Sequence, residues 1–272
     1  MTLPVRVRLH QHWPALLALG LPVLAGVACL VMLGAPPLYW LVNLGALAIG
    51  LALIVLLPPL TEPHNRILAG GLLALLLVAA VAGPEYNGIQ RWLPLGSLQL
   101  NAGFLAIPAL AVLAARMIRR GPHLLAAALC AVLLMPDAGA GAAITFAAVG
   151  LHQITRDWRM GLLVIAAFLL SIWMALNGEL PPAPFVEQIA AQYAGAGLIW
   201  PALVLLALAF AFALMLFALP LEAAARYALA GSLFGFTVMA LMNTYPFPLV
   251  AYGAGSIIGY GLALALHRNP SA

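Results

Sequence analysis

The chain has 272 residues, of which 65% are hydrophobic and 7% are charged, and its formal net charge is +4. A soluble globular chain carries about a quarter of its residues as charges, so this composition excludes a soluble enzyme. The mean hydropathy of +1.11 predicts an integral membrane protein instead. The two cysteines, Cys29 and Cys130, lie in apolar runs, where we expect buried free thiols and no disulfide framework.

Apolar runs follow one another along the chain, separated by short polar or proline-rich breaks. The fifth and sixth runs are shorter than the roughly 20 residues that a membrane span needs, so one could be re-entrant or the pair could form two tilted half-spans. The first run follows a basic start but lacks a clear signal-peptide cleavage site, and we interpret it as a retained helix. The ten predicted helices lie near residues 13–34, 38–57, 66–83, 101–117, 123–135, 139–154, 160–177, 195–219, 225–242 and 249–266.

The eleven basic residues are all arginines, and their distribution predicts the orientation. If the chain starts in the cytoplasm, every arginine except Arg91 falls at a cytoplasmic end or loop, as the positive-inside rule requires. The positive charge is thus explained by topology, and we expect no nucleic-acid partner. The sequence predicts an all-α polytopic bundle, one membrane domain over 1–272 with both termini cytoplasmic. Its outer loops lie near 84–100, 136–139, 178–194 and 243–248.

The same map places all six histidines on the inner side and four acids on the outer side, namely Glu85, Asp137, Glu179 and Glu187. Chemistry at the outer face would therefore be carboxylate chemistry. The chain has no zinc-protease motif, nucleophile elbow or phosphate-binding loop, which removes support for those enzyme classes.

The outer segment GPEYNGIQRWLPLG contains Arg91 and Trp92. An Arg-Trp pair at an interface is commonly an anchor, with tryptophan in the aromatic belt and arginine reaching the headgroups. Alternatively, an arginine kept alone on the disfavoured side has a partner or binds an anionic ligand.

Two other outer segments each carry an acid. Asp137, in LLMPDAGAGA, is a candidate site residue because an ionisable group near membrane depth is costly. It could also cap the sixth helix, and the two roles are compatible. Glu187, in NGELPPAPFVEQIAAQY, either favours the start of the following helix or is held by the prolines over a cavity.

Four strings, in order, resemble the SEDS family (shape, elongation, division and sporulation; FtsW/RodA/SpoVE-type proteins that polymerise peptidoglycan). NGIQRWLPLG resembles the family's Arg-Trp loop, and MPDAGAGA resembles its Pro-Asp-x-Gly-Thr segment. AGAGLIWPALVLL resembles the start of its eighth helix. PFPLVAYGAGSIIG, with Tyr252 and Ser256, resembles the entry to its last helix.

The resemblance implies a multi-pass protein of the bacterial inner membrane that acts on a polyprenyl-diphosphate-linked sugar such as lipid II, in wall synthesis, cell shape or division. It implies that Glu187 or Asp137 is the catalytic base and that Arg91 neutralises the diphosphate. Substrate-binding residues would also include Trp92, Glu85, Tyr252 and Ser256. A divalent cation, Mg²⁺ or Mn²⁺, could assist, and a class B penicillin-binding-protein-type transpeptidase and membrane lipids are the expected partners.

The chain departs from the family pattern at two places, and it is shorter than typical members. Asn101, Ala102, Gly103 and Phe104 stand where the family usually has Gln-Pro-Ser-Glu, so a family glutamate is absent. The place of the family's catalytic aspartate falls on Val186, next to Glu187. These departures favour, as an alternative, a non-catalytic protein that binds the lipid-linked precursor or serves as a scaffold. A flippase for the same lipid is a third possibility, which the intramembrane Asp137 and the glycine-broken spans support.

Overall fold

The computed structural model describes residues 5–96, 98–177, 183–187, 189, 194–195, 197–242 and 245–266, with side chains from residue 12 onward. Within these residues, ten helices and one pair of strands have defined bounds. The helices are α1 (Val5–Met32), α2 (Pro37–Leu56), α3 (Glu62–Ala82), α4 (Ala102–Arg116), α5 (Gly121–Leu134), α6 (Ala138–Thr155), α7 (Trp158–Asn177), α8 (Ile199–Phe217), α9 (Ala223–Leu241) and α10 (Ala254–Ala265). The strands are β1 (Trp92–Leu95) and β2 (Leu98–Asn101).

Each predicted helix has an observed counterpart, which confirms the all-α polytopic fold. Six helices of the described chain are long and apolar enough to cross a membrane, namely α1, α2, α3, α7, α8 and α9. The shortness predicted for the fifth helix is observed, since α5 has 14 residues. A helix of that length rises about 21 Å, against a hydrocarbon core of about 30 Å. The protein is a multi-pass membrane protein.

Small residues allow the helices of the bundle to pack backbone against backbone. A Cβ at Gly231 or Gly235 of α9 would overlap the carbonyl oxygens of Phe146 or Ala142 in α6. A Cβ at Gly259 of α10 would likewise overlap the carbonyl oxygen of Phe104 in α4. In a bilayer such close approach is a main source of helix–helix attraction.

The connection between α3 and α4 folds as two successive tight turns, where the sequence predicted only a loop. Tyr86 and Ile89 exchange backbone hydrogen bonds of 3.0 and 2.9 Å around Asn87 and Gly88. Both central residues have positive φ angles, 51° and 78°, which is the conformation that Asn-Gly favours in hairpins. The antiparallel hairpin β1–β2 follows and turns at Gly96, where φ is +62°.

The two cysteines are both free but differ in exposure. Cys29 is buried as expected, whereas Cys130 is exposed on α5, so the prediction for Cys130 is wrong. An apolar run does not separate core-facing from lipid-facing positions, because the solvent of a membrane helix is itself apolar.

Candidate functional site

A cavity of about 640 Å³ opens at one end of the bundle. This end is formed by residues 83–96, 98–101, 136–137, 183–187 and 245–253, and it corresponds to the predicted outer face. Five predicted site residues line the cavity: Glu85, Trp92, Glu187, Tyr252 and Ser256. Arg91 and Asp137 are not lining residues, and both are buried behind the wall.

Arg91 points into the protein. Its side chain lies between two aromatic rings, with the guanidinium carbon 4.7 Å from the Trp92 centroid and 4.8 Å from the Tyr245 centroid. Arg91 is only 3% exposed. This burial excludes the interpretation that Arg91 reaches out to lipid headgroups, because a snorkelling arginine keeps its charged end in water.

The guanidinium of Arg91 is incompletely satisfied. Its Nη2 lies 3.7 Å from Oε1 of Glu187, which is an ion pair but too long for a hydrogen bond. In the part of the chain that the structure describes, neither Nε nor Nη2 of Arg91 has a hydrogen-bond partner. Unpaired buried donors are costly, so the charge of the Arg91 guanidinium is only partly compensated by Glu187.

Glu187 is held at the cavity by a folded segment. Its Oε2 accepts a hydrogen bond of 3.0 Å from the backbone N–H of Ala183, and the side chain is buried. The segment is joined to the entry of α10, because the N–H of Tyr252 donates to the carbonyl of Phe185 at 3.0 Å. Val186, at the place of the family aspartate, also lines the cavity.

Asp137 caps α6, as predicted, and reaches a second partner. Its Oδ1 accepts from the N–H of Ala140 at 3.0 Å, and its Oδ2 accepts from the hydroxyl of Tyr245 at 3.1 Å. Asn101 caps α4 through the N–H of Phe104 and donates to the same hydroxyl at 3.1 Å. One buried phenol thus connects the N-termini of two helices.

Tyr245 was not predicted as a site residue. Burial, and then the nearby Asp137 carboxylate, raises the pKa of the Tyr245 phenol well above its ordinary value. The hydroxyl therefore stays protonated and acts as the donor to Asp137. No sequence motif distinguishes this tyrosine in NTYPFP, because its partners are more than 100 residues away along the chain.

The segment that leads into α10, residues 245–253, is called the α10 entry loop, and polar residues of two helices hold it. The side chain of Ser256 accepts from the N–H of Leu249 at 3.1 Å. Asn43 of α2 donates to the carbonyl of Ala251 at 3.0 Å and accepts from the N–H of Gly253 at 3.1 Å. Sequence analysis missed Asn43, whose signal is a single amide within an otherwise apolar run.

Aromatic side chains form much of the remaining wall. Tyr252 stacks on Tyr39 with centroids 3.9 Å apart. Phe104, at the place of the family glutamate, lines the cavity and packs against Phe236 and Tyr245 with centroid distances of 4.5 and 5.1 Å. The wall is therefore apolar at the position where the resemblance implies a carboxylate.

The described residues contain no group of three or more His, Cys, Asp or Glu side chains that could hold a metal ion. Glu85 and Glu187 both line the cavity, and Mg²⁺ commonly takes one or two carboxylates and completes its coordination with phosphate oxygens and water. Carboxylates are the donor type that a cation bound together with a phosphorylated substrate would need. Glu179 lies outside the described residues.

The fold and the site together define a class of protein. This class is a polytopic membrane bundle that has a buried carboxylate–guanidinium pair beside a cavity at one end. No protein-family model matches the chain, and a search of curated proteins finds no match.

Solved structures give the fold relationship. The rod shape determining protein RodA of Thermus thermophilus matches with a TM-score of 0.72 at 23% identity, covering 93% of this chain and 94% of RodA. A single-residue mutant of that RodA matches with a TM-score of 0.72 at 25% identity, covering 93% and 95%. A structure on the coordination of polymerization and crosslinking by a peptidoglycan synthase complex matches with a TM-score of 0.69 at 20% identity, covering 93% and 96%. The chain has the fold of RodA, in agreement with the resemblance of its motifs to the SEDS family.

Proposed function

We propose that this protein is a SEDS-like membrane glycosyltransferase. Its substrate would be a polyprenyl-diphosphate-linked sugar of the lipid II type, polymerised or transferred at the outer face of the bacterial inner membrane. The observation that carries the proposal is Glu187, a buried carboxylate that lines a cavity and lies 3.7 Å from the Arg91 guanidinium. The RodA fold supports the same class of reaction.

In this mechanism Glu187 is the general base. It accepts the proton of the acceptor sugar hydroxyl, whose oxygen forms a bond to the anomeric carbon of the donor sugar. The bond between that carbon and the diphosphate oxygen breaks, and its electron pair leaves with the polyprenyl diphosphate. One proton is then on Glu187, and the new negative charge is on the leaving group.

Arg91 supplies positive charge in this step. Before transfer, its guanidinium compensates the charge of the Glu187 carboxylate. When Glu187 accepts the proton, that compensation ends as negative charge develops on the diphosphate. A fixed cation in a buried site stabilises such a charge strongly, so the pair couples proton acceptance to leaving-group departure.

A divalent cation, when bound, would neutralise diphosphate charge as a Lewis acid. Glu85, the lining carboxylate that has no role as the base, would hold it. The proposed cellular role is wall synthesis during growth or division, beside a class B penicillin-binding-protein-type transpeptidase. The likeness to a peptidoglycan synthase complex supports this partner class.

A second candidate is a non-catalytic protein that binds the same precursor. Phe104 favours it, because this residue makes the cavity wall apolar where the family usually has a glutamate. The two candidates differ in turnover, since a binder would retain lipid II without forming glycan.

The test is glycan formation from lipid II by the purified protein in nanodiscs. We expect Glu187→Gln to lower the rate about 10²- to 10⁴-fold, the usual contribution of a general base, and Arg91→Ala and Asp137→Asn to lower it as well. Glu62→Gln is the matched control, because Glu62 is an exposed acid that pairs with Arg66. Full activity in all three site variants would contradict the assignment, and binding without turnover in the wild type would favour the second candidate.

A further inference from the structure

We propose that Tyr245 is a positioning residue that holds the Arg91 guanidinium beside Glu187, and that Asp137 acts on the site through Tyr245. The chemical consequence rests on the proposed function, whereas the geometry can be tested without turnover. The proposal gives Asp137 an indirect role, in accord with its complete burial and its absence from the cavity wall.

The Tyr245 hydroxyl is held both as a hydrogen-bond donor and as an acceptor. It donates to Oδ2 of Asp137 and accepts from Nδ2 of Asn101, each at 3.1 Å. Asp137 and Asn101 are themselves fixed, because Oδ1 of Asp137 caps α6 and Oδ1 of Asn101 caps α4. The phenol oxygen is thereby tied to the first turns of two packed helices.

The Tyr245 ring is held by packing. Phe236 stacks on it with centroids 5.7 Å apart and planes 18° apart, and Phe104 lies at 5.1 Å. Gly139 is in such close contact that a Cβ there would come within 2.5 Å of the ring atoms Cδ2 and Cζ. A ring enclosed in this way presents a stationary face to Arg91.

Two aromatic faces contact the Arg91 guanidinium, two of whose nitrogens lack hydrogen bonds within the described chain. Nε and Nη2 of Arg91 are without hydrogen bonds to the residues that the structure describes, and the contact with Glu187 is 3.7 Å. By contrast, Trp92 and Tyr245 both lie within cation–π distance of the guanidinium. Loss of the Tyr245 ring should therefore release Arg91 from Glu187.

The first experiment measures the accessibility of Arg91 in the full-length protein, by phenylglyoxal modification and peptide mass spectrometry. We expect Tyr245→Leu to accelerate modification of Arg91 about 5- to 30-fold, the range that loss of a desolvated cation–π contact allows. The matched control is Tyr260→Leu, because Tyr260 is equally buried and bonds Ser232 away from the site. Equal acceleration in both variants would overturn the proposal.

The second experiment keeps the ring and removes only its hydroxyl. We expect Tyr245→Phe and Asp137→Asn each to accelerate Arg91 modification several-fold, and the double variant to do so no more than either alone. Asparagine retains the cap on α6, so Asp137→Asn reports chiefly on the bond to Tyr245. If Asp137→Asn had the same effect with and without the Tyr245 hydroxyl, Asp137 would act independently and the proposal would fail.

Activity supplies a separate readout. If the wild type forms glycan, we expect Tyr245→Phe to lower kcat with little change in KM, while Tyr260→Phe changes neither. A change in KM with kcat unchanged would contradict a positioning role. If the wild type forms no glycan, the proposed function fails, and Arg91 modification still decides whether Tyr245 positions the guanidinium.

Discussion

The Tyr245 ring lies directly against the backbone of Gly139, at the start of α6. This contact lets the phenol reach the Asp137 cap two residues earlier in the chain. A residue with a side chain at position 139 would displace the ring. Gly139 therefore has a packing role, because its lack of a side chain lets the α10 entry loop contact α6.

We predict that Gly139→Ala destabilises the protein by about 1–3 kcal/mol, the usual cost of overpacking a tight site. Thermal unfolding in detergent measures the change. Gly20→Ala is the control, because a Cβ at Gly20 meets nothing within 4 Å. Equal unfolding temperatures for the two variants would show that the ring can move away freely.

Close packing of α10 on α4 leads to a second prediction. Gly259→Ala should lower the unfolding temperature, because the added Cβ would overlap Phe104 and approach Cα of Leu105 to 2.9 Å. Gly70→Ala should leave the temperature unchanged or raise it, since Gly70 is an open helical position and alanine is favoured there by up to about 1 kcal/mol. A stable Gly259→Ala variant would contradict the backbone contact.

The third prediction concerns Asn43, which bonds Ala251 and Gly253. Replacement by leucine leaves one carbonyl and one N–H without partners, at about 1–3 kcal/mol for each buried group. Asn177→Leu is the matched control, because Asn177 is exposed and bonds only locally, to Trp173. Chemical denaturation compares the two, and a smaller loss for Asn43→Leu than for Asn177→Leu would refute the prediction.

Orientation provides the fourth prediction. In a protein whose native cysteines have been replaced, Leu95→Cys should react with an impermeant maleimide added outside intact cells, because Leu95 is exposed at the predicted outer face. Ile118→Cys should react only after the cells are opened. Ile118 is also an exposed apolar residue, but it lies among the arginines between α4 and α5. The reverse pattern would invert the topology.

Much of the fold could be predicted from the sequence. Hydropathy along the chain reports which segments cross an apolar solvent, so the predicted run 38–57 and the observed α2, Pro37–Leu56, nearly coincide. The Asp137 cap was also predictable, because capping depends on residues three apart. The turn at Asn87 and Gly88 is also a local feature, because the pair Asn-Gly favours positive φ angles.

The sequence by itself determined the membrane class, the helix order and which chemical groups gather at each end, because these depend on local composition and on arginine asymmetry. Only the tertiary structure decided that Arg91 is buried between two rings, that Asp137 lies behind the cavity wall and that Tyr245 joins them. Such contacts connect residues as far apart in the chain as Arg91 and Tyr245. They exist only once α4, α6 and the α10 entry loop pack together, which no local pattern encodes.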